Sequence, residues 1–267
     1  MSQDSVKIHR GLVGVYFDRT KTTYINGKEG ILEYCGYNIH DLAENSTFEE
    51  TAYLLLNGKL PNQSELDQFN TDLINSRSIS PKIIDIIRSI KDAHPMDVLR
   101  TSVSALSTFD EEAADKSYEA TMRKGIRLTS QVPTLVMAHN AIRNEKAPIQ
   151  QSNSLSHAAT FLYMLDGQTP SESAAKLMDK DFIVHADHGS NAAAFAARVC
   201  AGTQADLHSA ITTGISVLSG PSHGGAAENV MKMVKEVGSV DKAKDYVTNL
   251  LRNKLKDLYF GTGRGTT

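Results

Sequence analysis

Ser80-Pro-Lys-Ile-Ile-Asp-Ile-Ile-Arg-Ser-Ile90 decides the fold class. Serine followed by proline marks a helix start. The hydroxyl can cap a free backbone N–H, and proline suits the first helical position, where its missing N–H would have no partner anyway. Ile83, Ile86, Ile87 and Ile90 then fall at i, i+3, i+4 and i+7, one apolar stripe of a 3.6-residue period. Leu99, Val103 and Leu106 continue the spacing, with His94-Pro95 capping their helix. Outward from there the pattern persists. Residues 118–143 read as a helix kinked or split at Pro133. Residues 155–165, 171–178, 191–201, 207–218, 226–237 and 242–258 follow as further helices. Upstream, Ser46 with Glu49 predicts a capping box ahead of Tyr53-Leu-Leu-Leu56; Gly58 stops that helix and Pro61 prevents its resumption. Only the first forty residues differ: Leu12 to Phe17 and Tyr24 to Gly30 read as short strands or turns, with Asn26-Gly27 as a hairpin signal. The fold class is mainly α, with many helices and short connections.

Composition narrows the function. The 267 residues are 40% hydrophobic and 22% charged, enough to bury a core in one large domain or two modest ones and too apolar for a disordered chain. Lys+Arg 28 against Asp+Glu 31 gives a net charge of −3, so no basic excess points to nucleic acid or an anionic membrane. No stretch approaches the roughly 20 apolar residues of a membrane span. Met1 to Lys7 is polar, unlike a signal peptide, and the glycine-rich end from Tyr259 reads as a frayed tail. Cys35 and Cys200 form neither a disulfide framework nor a metal motif, and fit a cytoplasmic protein with two ordinary thiols.

Two constellations could carry chemistry. In Ser219-Gly-Pro-Ser-His-Gly-Gly-Ala-Ala-Glu228, His223 stands among glycines just before a helix. The free N–H groups of a helix start and their partial positive charge disfavour a protonated imidazole. A neutral histidine there can donate to a carbonyl as it becomes an enolate; the alternative is a histidine capping a turn. In Ile183-Val-His-Ala-Asp-His-Gly-Ser-Asn191, His185, Asp187 and His188 crowd into four residues. A metal reading needs a longer His-x-His-x-Asp-His run, and Ile183 occupies the first histidine's place. Otherwise one histidine binds an anionic substrate and the other makes a structural hydrogen bond. No dinucleotide fingerprint, phosphate loop or serine elbow is present.

These segments resemble the citrate synthase family, in particular the short bacterial type that includes 2-methylcitrate synthases. The resemblance runs from near Gly11 to about Leu255 and rests on Gly30-Ile-Leu-Glu-Tyr-Cys-Gly-Tyr37, Phe48-Glu-Glu-Thr-Ala-Tyr-Leu-Leu-Leu56, His94-Pro-Met-Asp-Val-Leu-Arg-Thr101, His185-Ala-Asp-His188 and Gly220-Pro-Ser-His-Gly-Gly225. It implies a multi-helical homodimer whose large and small domains close around substrates, with residues 1–225 in the large domain and 226–267 beginning the small one. It implies condensation of acetyl-CoA or propionyl-CoA with oxaloacetate, to citrate or 2-methylcitrate and CoA. The CoA thioester is a substrate, and no metal or bound cofactor is needed. By position His223 is similar to the histidine that stabilises the enol, and His188 to one that binds oxaloacetate. His185 and Asn191 stand as supporting residues behind them.

The chain also departs from that pattern. Gly261-Thr-Gly-Arg-Gly-Thr-Thr267 stands where a Gly-Phe-Gly-His-Arg motif is expected, and the downstream aspartate and arginines are absent. Gly189 follows His188 where an acidic residue is usual, and Ala193 replaces an expected serine. A general base contributes roughly 10² to 10⁴ in rate and an oxyanion-type donor roughly 10² to 10³. The expectation is therefore an impaired enzyme with an uncovered apolar face. The alternative is a non-catalytic relative that binds or regulates a complete homologue.

Overall fold

The computed structural model describes His9, Gly14, Val15 and residues 18–252. The expectations for Met1 to Lys7 and for the tail from Tyr259 lie outside the described residues, as does most of Leu12 to Phe17. The chain forms two compact units, one of residues 21–218 and one of residues 1–20 with 219–267.

The first unit opens with a three-stranded antiparallel sheet: β1 (Thr23–Asn26), β2 (Ile31–Tyr34) and β3 (Tyr37–Asn38), in that order. Asn26 pairs with Ile31, so the hairpin loop has the four residues 27–30 and is not the two-residue turn that Asn-Gly suggests. Gly30 closes it at φ 68°. Ten helices follow: α1 (Ile39–Asn45), α2 (Phe48–Asn57), α3 (Gln63–Asn75), α4 (Pro81–Ser89), α5 (Pro95–Leu106), α6 (Tyr118–Arg143), α7 (His157–Asp166), α8 (Glu172–His185), α9 (Ala192–Gly202) and α10 (Leu207–Leu218). The mainly α expectation holds.

The deciding stripe lies where its period put it. Ile83 and Ile87 are fully buried in the core that α4, α5, α6 and α10 share with Val103, Leu135 and Ile215. Complete burial of such side chains is worth about 1.5–3 kcal/mol each. Ser80 caps α4 through the Lys82 N–H, with Pro81 at the first position. Helix α6 runs unbroken through Pro133. Its buried face is tied to neighbours on either side of the proline: Ser130 Oγ donates to the Leu73 carbonyl at 2.8 Å and Thr134 Oγ1 to the Arg77 carbonyl at 3.0 Å. Tertiary bonds thus offset the helical bond that proline lacks.

One cap is displaced by a residue. The capping box of α2 uses Thr47 and Glu50, with Ser46 ending α1. Both pairs satisfy the spacing. Glu49 is buried and accepts the His157 N–H at 2.8 Å, satisfying the start of α7 instead of its own helix. Helix α8 is longer than the sequence suggests and carries His185 in its last turn.

In the second unit the described helices are α11 (Gly225–Val237) and α12 (Val240–Arg252). Gly238, at φ 69°, ends α11. No helix among the described residues is long and apolar enough to cross a membrane.

Candidate functional site

His188 lies in the short connection between α8 and α9. Asn191 caps α9, its Oδ1 accepting the Ala194 N–H at 2.9 Å. His185 is exposed, and its Nδ1 contacts the Asp181 carbonyl oxygen at 2.8 Å. Asp187 is the residue most heavily used. Its Oδ2 accepts from Thr23 Oγ1, and its Oδ1 accepts the Gly189 N–H at 3.1 Å. The Tyr34 hydroxyl donates to the Asp187 carbonyl oxygen at 2.9 Å, with the Val184 carbonyl at 3.3 Å as a second acceptor, and accepts the Asp187 N–H at 3.2 Å. Tyr34 is fully buried, and that burial, more than any neighbour, raises its phenol above the ordinary range, so it stays a donor. Gly189 holds φ 62°, a left-handed geometry that an acidic residue would adopt only with strain. The departure from the family pattern at this position therefore has a backbone consequence.

Both Asp187 oxygens are occupied and His185 turns to its own helix. Among the described residues no three His, Cys, Asp or Glu side chains cluster as metal ligands. The His188 ring is exposed and bonds to no described residue.

His223 belongs to the second unit. The turn before α11 is tied by its own backbone: Gly220 O accepts the His223 N–H at 2.9 Å and the Gly225 N–H at 3.1 Å. The Ala226 and Ala227 N–H groups go to the His223 and Gly224 carbonyls. The first turn of α11 is therefore less open to an anion than the sequence suggests. A Cβ on Gly225 would stand 3.0 Å from Gly220 O, so only glycine fits without displacing backbone. His223 Nε2 is buried and has no hydrogen-bond partner among the described residues. A buried polar atom without a partner costs roughly 1–3 kcal/mol, and among the described residues Asn70 Oδ1, Ser102 Oγ, His208 Nδ1 and Thr212 Oγ1 share that state.

Buried His208 lies 3.4 Å from Asp110 and 3.6 Å from Asp206, its Nδ1 also without a hydrogen-bond partner among the described residues; three other histidines have structural employment. His94 caps α5 through the Met96 N–H, and His139 Nε2 lies 2.9 Å from the Lys91 carbonyl. His157 packs against the rings of Phe48 and Phe182. Burial, helped by the Arg77 charge, holds its imidazole down at about 4. Beside it, Asp179 accepts the Phe48 N–H, and burial pushes its carboxyl up to about 6. Phe48, His157 and Phe182, with Leu56, Leu128 and Val132, line an apolar cavity of about 540 Å³ whose lining includes neither Asp187 nor His188.

Thr23 and Tyr34 escaped the sequence reading. A two-residue Asn26-Gly27 turn would set Thr23 opposite Gly30, and only the four-residue loop sets it opposite Tyr34, so nothing local signals this pair or its partner more than 150 residues away.

Residues 11–265 match the family described as citrate synthase, C-terminal domain. The citrate synthase of Deinococcus radiodurans is 42% identical over 255 residues, covering 95% of this chain and 68% of that protein. A 2-methylcitrate synthase of Mycobacterium tuberculosis is 35% identical, covering 95% and 64%. The solved citrate synthase from Pyrobaculum aerophilum matches with a TM-score of 0.85 at 35% identity, over 91% of this chain and 63% of that one. The Thermoplasma acidophilum citrate synthase, solved as a ternary complex with carboxymethyl coenzyme A and oxaloacetate, gives 0.86 at 25% identity, over 92% and 65%. The chain spans about two-thirds of the length of the relatives it matches.

Proposed function

The chain belongs to the citrate synthase family, and we propose that it condenses acetyl-CoA or propionyl-CoA with oxaloacetate, giving citrate or 2-methylcitrate and CoA. The observation that carries this reading is the buried Nε2 of His223, in a glycine-bounded turn and without a hydrogen-bond partner among the described residues. When the CoA thioester loses its α-proton, negative charge grows on the thioester oxygen. An Nε2–H aimed there stabilises the enol by a hydrogen bond that strengthens as the charge develops. The enol carbon then attacks the keto carbon of oxaloacetate, and water cleaves the resulting thioester to release CoA. His188 contributes an exposed imidazole to the oxaloacetate side, with His185 and Asn191 shaping the helix ends around it. The proposal includes a homodimeric, cytoplasmic enzyme that uses no metal or prosthetic group. The two acyl substrates differ by one methylene, worth only about 1–3 kcal/mol in a pocket, so both belong in the test.

Thiol release is followed for the purified chain with oxaloacetate and each acyl-CoA in turn. The expected result is oxaloacetate-dependent release that His223→Gln lowers by about 10² to 10³. No release from the parent chain, or undiminished release from the variant, overturns the proposal.

A further inference from the structure

Thr23 and Tyr34 face each other directly in the β1–β2 register, so their side chains project from the same face of the hairpin. Ile25, two residues on, shares that face. Its Cδ1 lies 3.5 Å from where a Cβ of Gly189 would stand. The face therefore meets the α8–α9 connection on both sides of residue 188. Thr23 holds the Asp187 carboxylate, Tyr34 holds both backbone groups of Asp187, and Asp187 in turn holds the Gly189 N–H. A carboxylate that only capped its own loop would need the Gly189 N–H alone. Here the second oxygen is engaged by a hydroxyl 164 residues earlier in the chain. The residue enclosed by these ties has an exposed ring that bonds to no described residue.

We propose that Thr23 and Tyr34 are positioning residues for His188: they fix the 187–189 backbone so that the imidazole meets its dicarboxylate substrate without first having to order the loop. This rests on the assignment of His188 to oxaloacetate made above. Fixing a loop beforehand removes its ordering cost from binding, so the benefit appears as affinity and not as bulk stability.

The test uses the full isotopically labelled chain and its Thr23→Val, Thr23→Ser and Tyr34→Phe variants. Amide exchange at Gly189 reports the loop, oxaloacetate titration reports affinity, and the melting curve reports the fold. Thr23→Val and Tyr34→Phe keep the apolar bulk and lose the hydroxyl. Loss of one such bond, converted at 1.4 kcal/mol per factor of ten, gives about tenfold faster Gly189 exchange. The expected result is that acceleration in Thr23→Val and Tyr34→Phe, oxaloacetate binding weakened about tenfold in both, and parent-like exchange and affinity in Thr23→Ser, which keeps its hydroxyl. Unchanged exchange in both variants overturns the proposal. Faster exchange with unchanged oxaloacetate affinity also overturns it, since the hydroxyls would then serve the loop alone. A parent chain that does not bind oxaloacetate removes the substrate assignment of His188, and with it the role proposed for the two hydroxyls; the exchange ratios then still decide whether they hold the loop.

Discussion

The connection that carries His188 and the turn that carries His223 are held by opposite means. Residues 187–189 are held by side chains from a hairpin near the start of the chain, across separations of 153 and 164 residues. Residues 220–225 are held by backbone bonds converging on one carbonyl, Gly220 O, and by the absence of a side chain at Gly225. The first arrangement depends on distant polar partners and yields to conservative changes far from the histidine. The second is local, and only a change within the turn should disturb it.

The largest effect should come from His223 itself. His223→Gln is expected to lower the rate of thiol release by about 10² to 10³, the usual worth of one oxyanion-type donor, with little change in stability. If thiol release fell less than tenfold, the His223 turn would be a structural cap and the comparison would lose one of its halves. Next comes Gly225→Ala. Alanine favours helix by about 1 kcal/mol, but its Cβ meets the Gly220 carbonyl, so the turn must shift. A drop of about tenfold in thiol release, with a melting temperature no higher than the parent's, is the expected outcome. An unaffected rate would show that the turn tolerates what its packing forbids.

A third experiment extends the comparison to α8, which fastens α2 as the hairpin fastens residue 187. The Asp179 carboxyl, raised to about 6 by burial, holds the Phe48 N–H beside His157, whose ring is held at about 4. The two groups push stability in opposite directions. Asp179 binds its proton more tightly folded than unfolded, so its contribution is present at low pH and is lost as pH rises from about 4 through about 6. His157 binds its proton less tightly folded, so its contribution is present above about 6.5 and is lost as pH falls toward about 4. The parent chain should therefore show a shallow slope between pH 6.5 and 4. Asp179→Asn retains an acceptor for Phe48 and removes the ionisation. It should be about 1–2 kcal/mol more stable than the parent at pH 7, and that advantage should vanish by about pH 4. Denaturant unfolding at the two pH values measures both; a steady advantage across the range would contradict the assignment.

The smallest effect is expected at Asn191. Its side chain caps α9, so Asn191→Ala should cost about 1 kcal/mol in thermal unfolding and Asn191→Asp should restore most of it. A large loss of oxaloacetate affinity in Asn191→Ala, with stability unchanged, would move this residue from cap to substrate contact and sharpen the picture of the His188 side.

Much of this was legible in the chain because it is local. Ser80-Pro81 and the isoleucine stripe specify a capped helix and its buried face within eleven residues. His94-Pro95 does the same for α5, and Gly58, at φ 74°, ends α2 where expected. The glycines around His223 announced a tight turn before a helix. The capping box of α2 shows where local rules stop. Ser46/Glu49 and Thr47/Glu50 both fit the spacing, and the choice was made by the N–H of His157, 108 residues away, which takes Glu49. Pro133 shows the same limit: proline predicts a break, and hydrogen bonds from Ser130 and Thr134 to other elements keep α6 whole.

The sequence by itself determined the helical class, the helix starts, the family and the turn around His223, because each is written in neighbouring residues through periodicity, capping and glycine geometry. Tertiary structure alone decided that Thr23 and Tyr34 grip Asp187 and that His157 and Asp179 face one phenylalanine with opposed proton affinities. Those partners meet only when helices and hairpin pack, and burial, which sets the strength of a hydrogen bond and the direction of a pKa shift, is a property of that packing and not of any short stretch of chain.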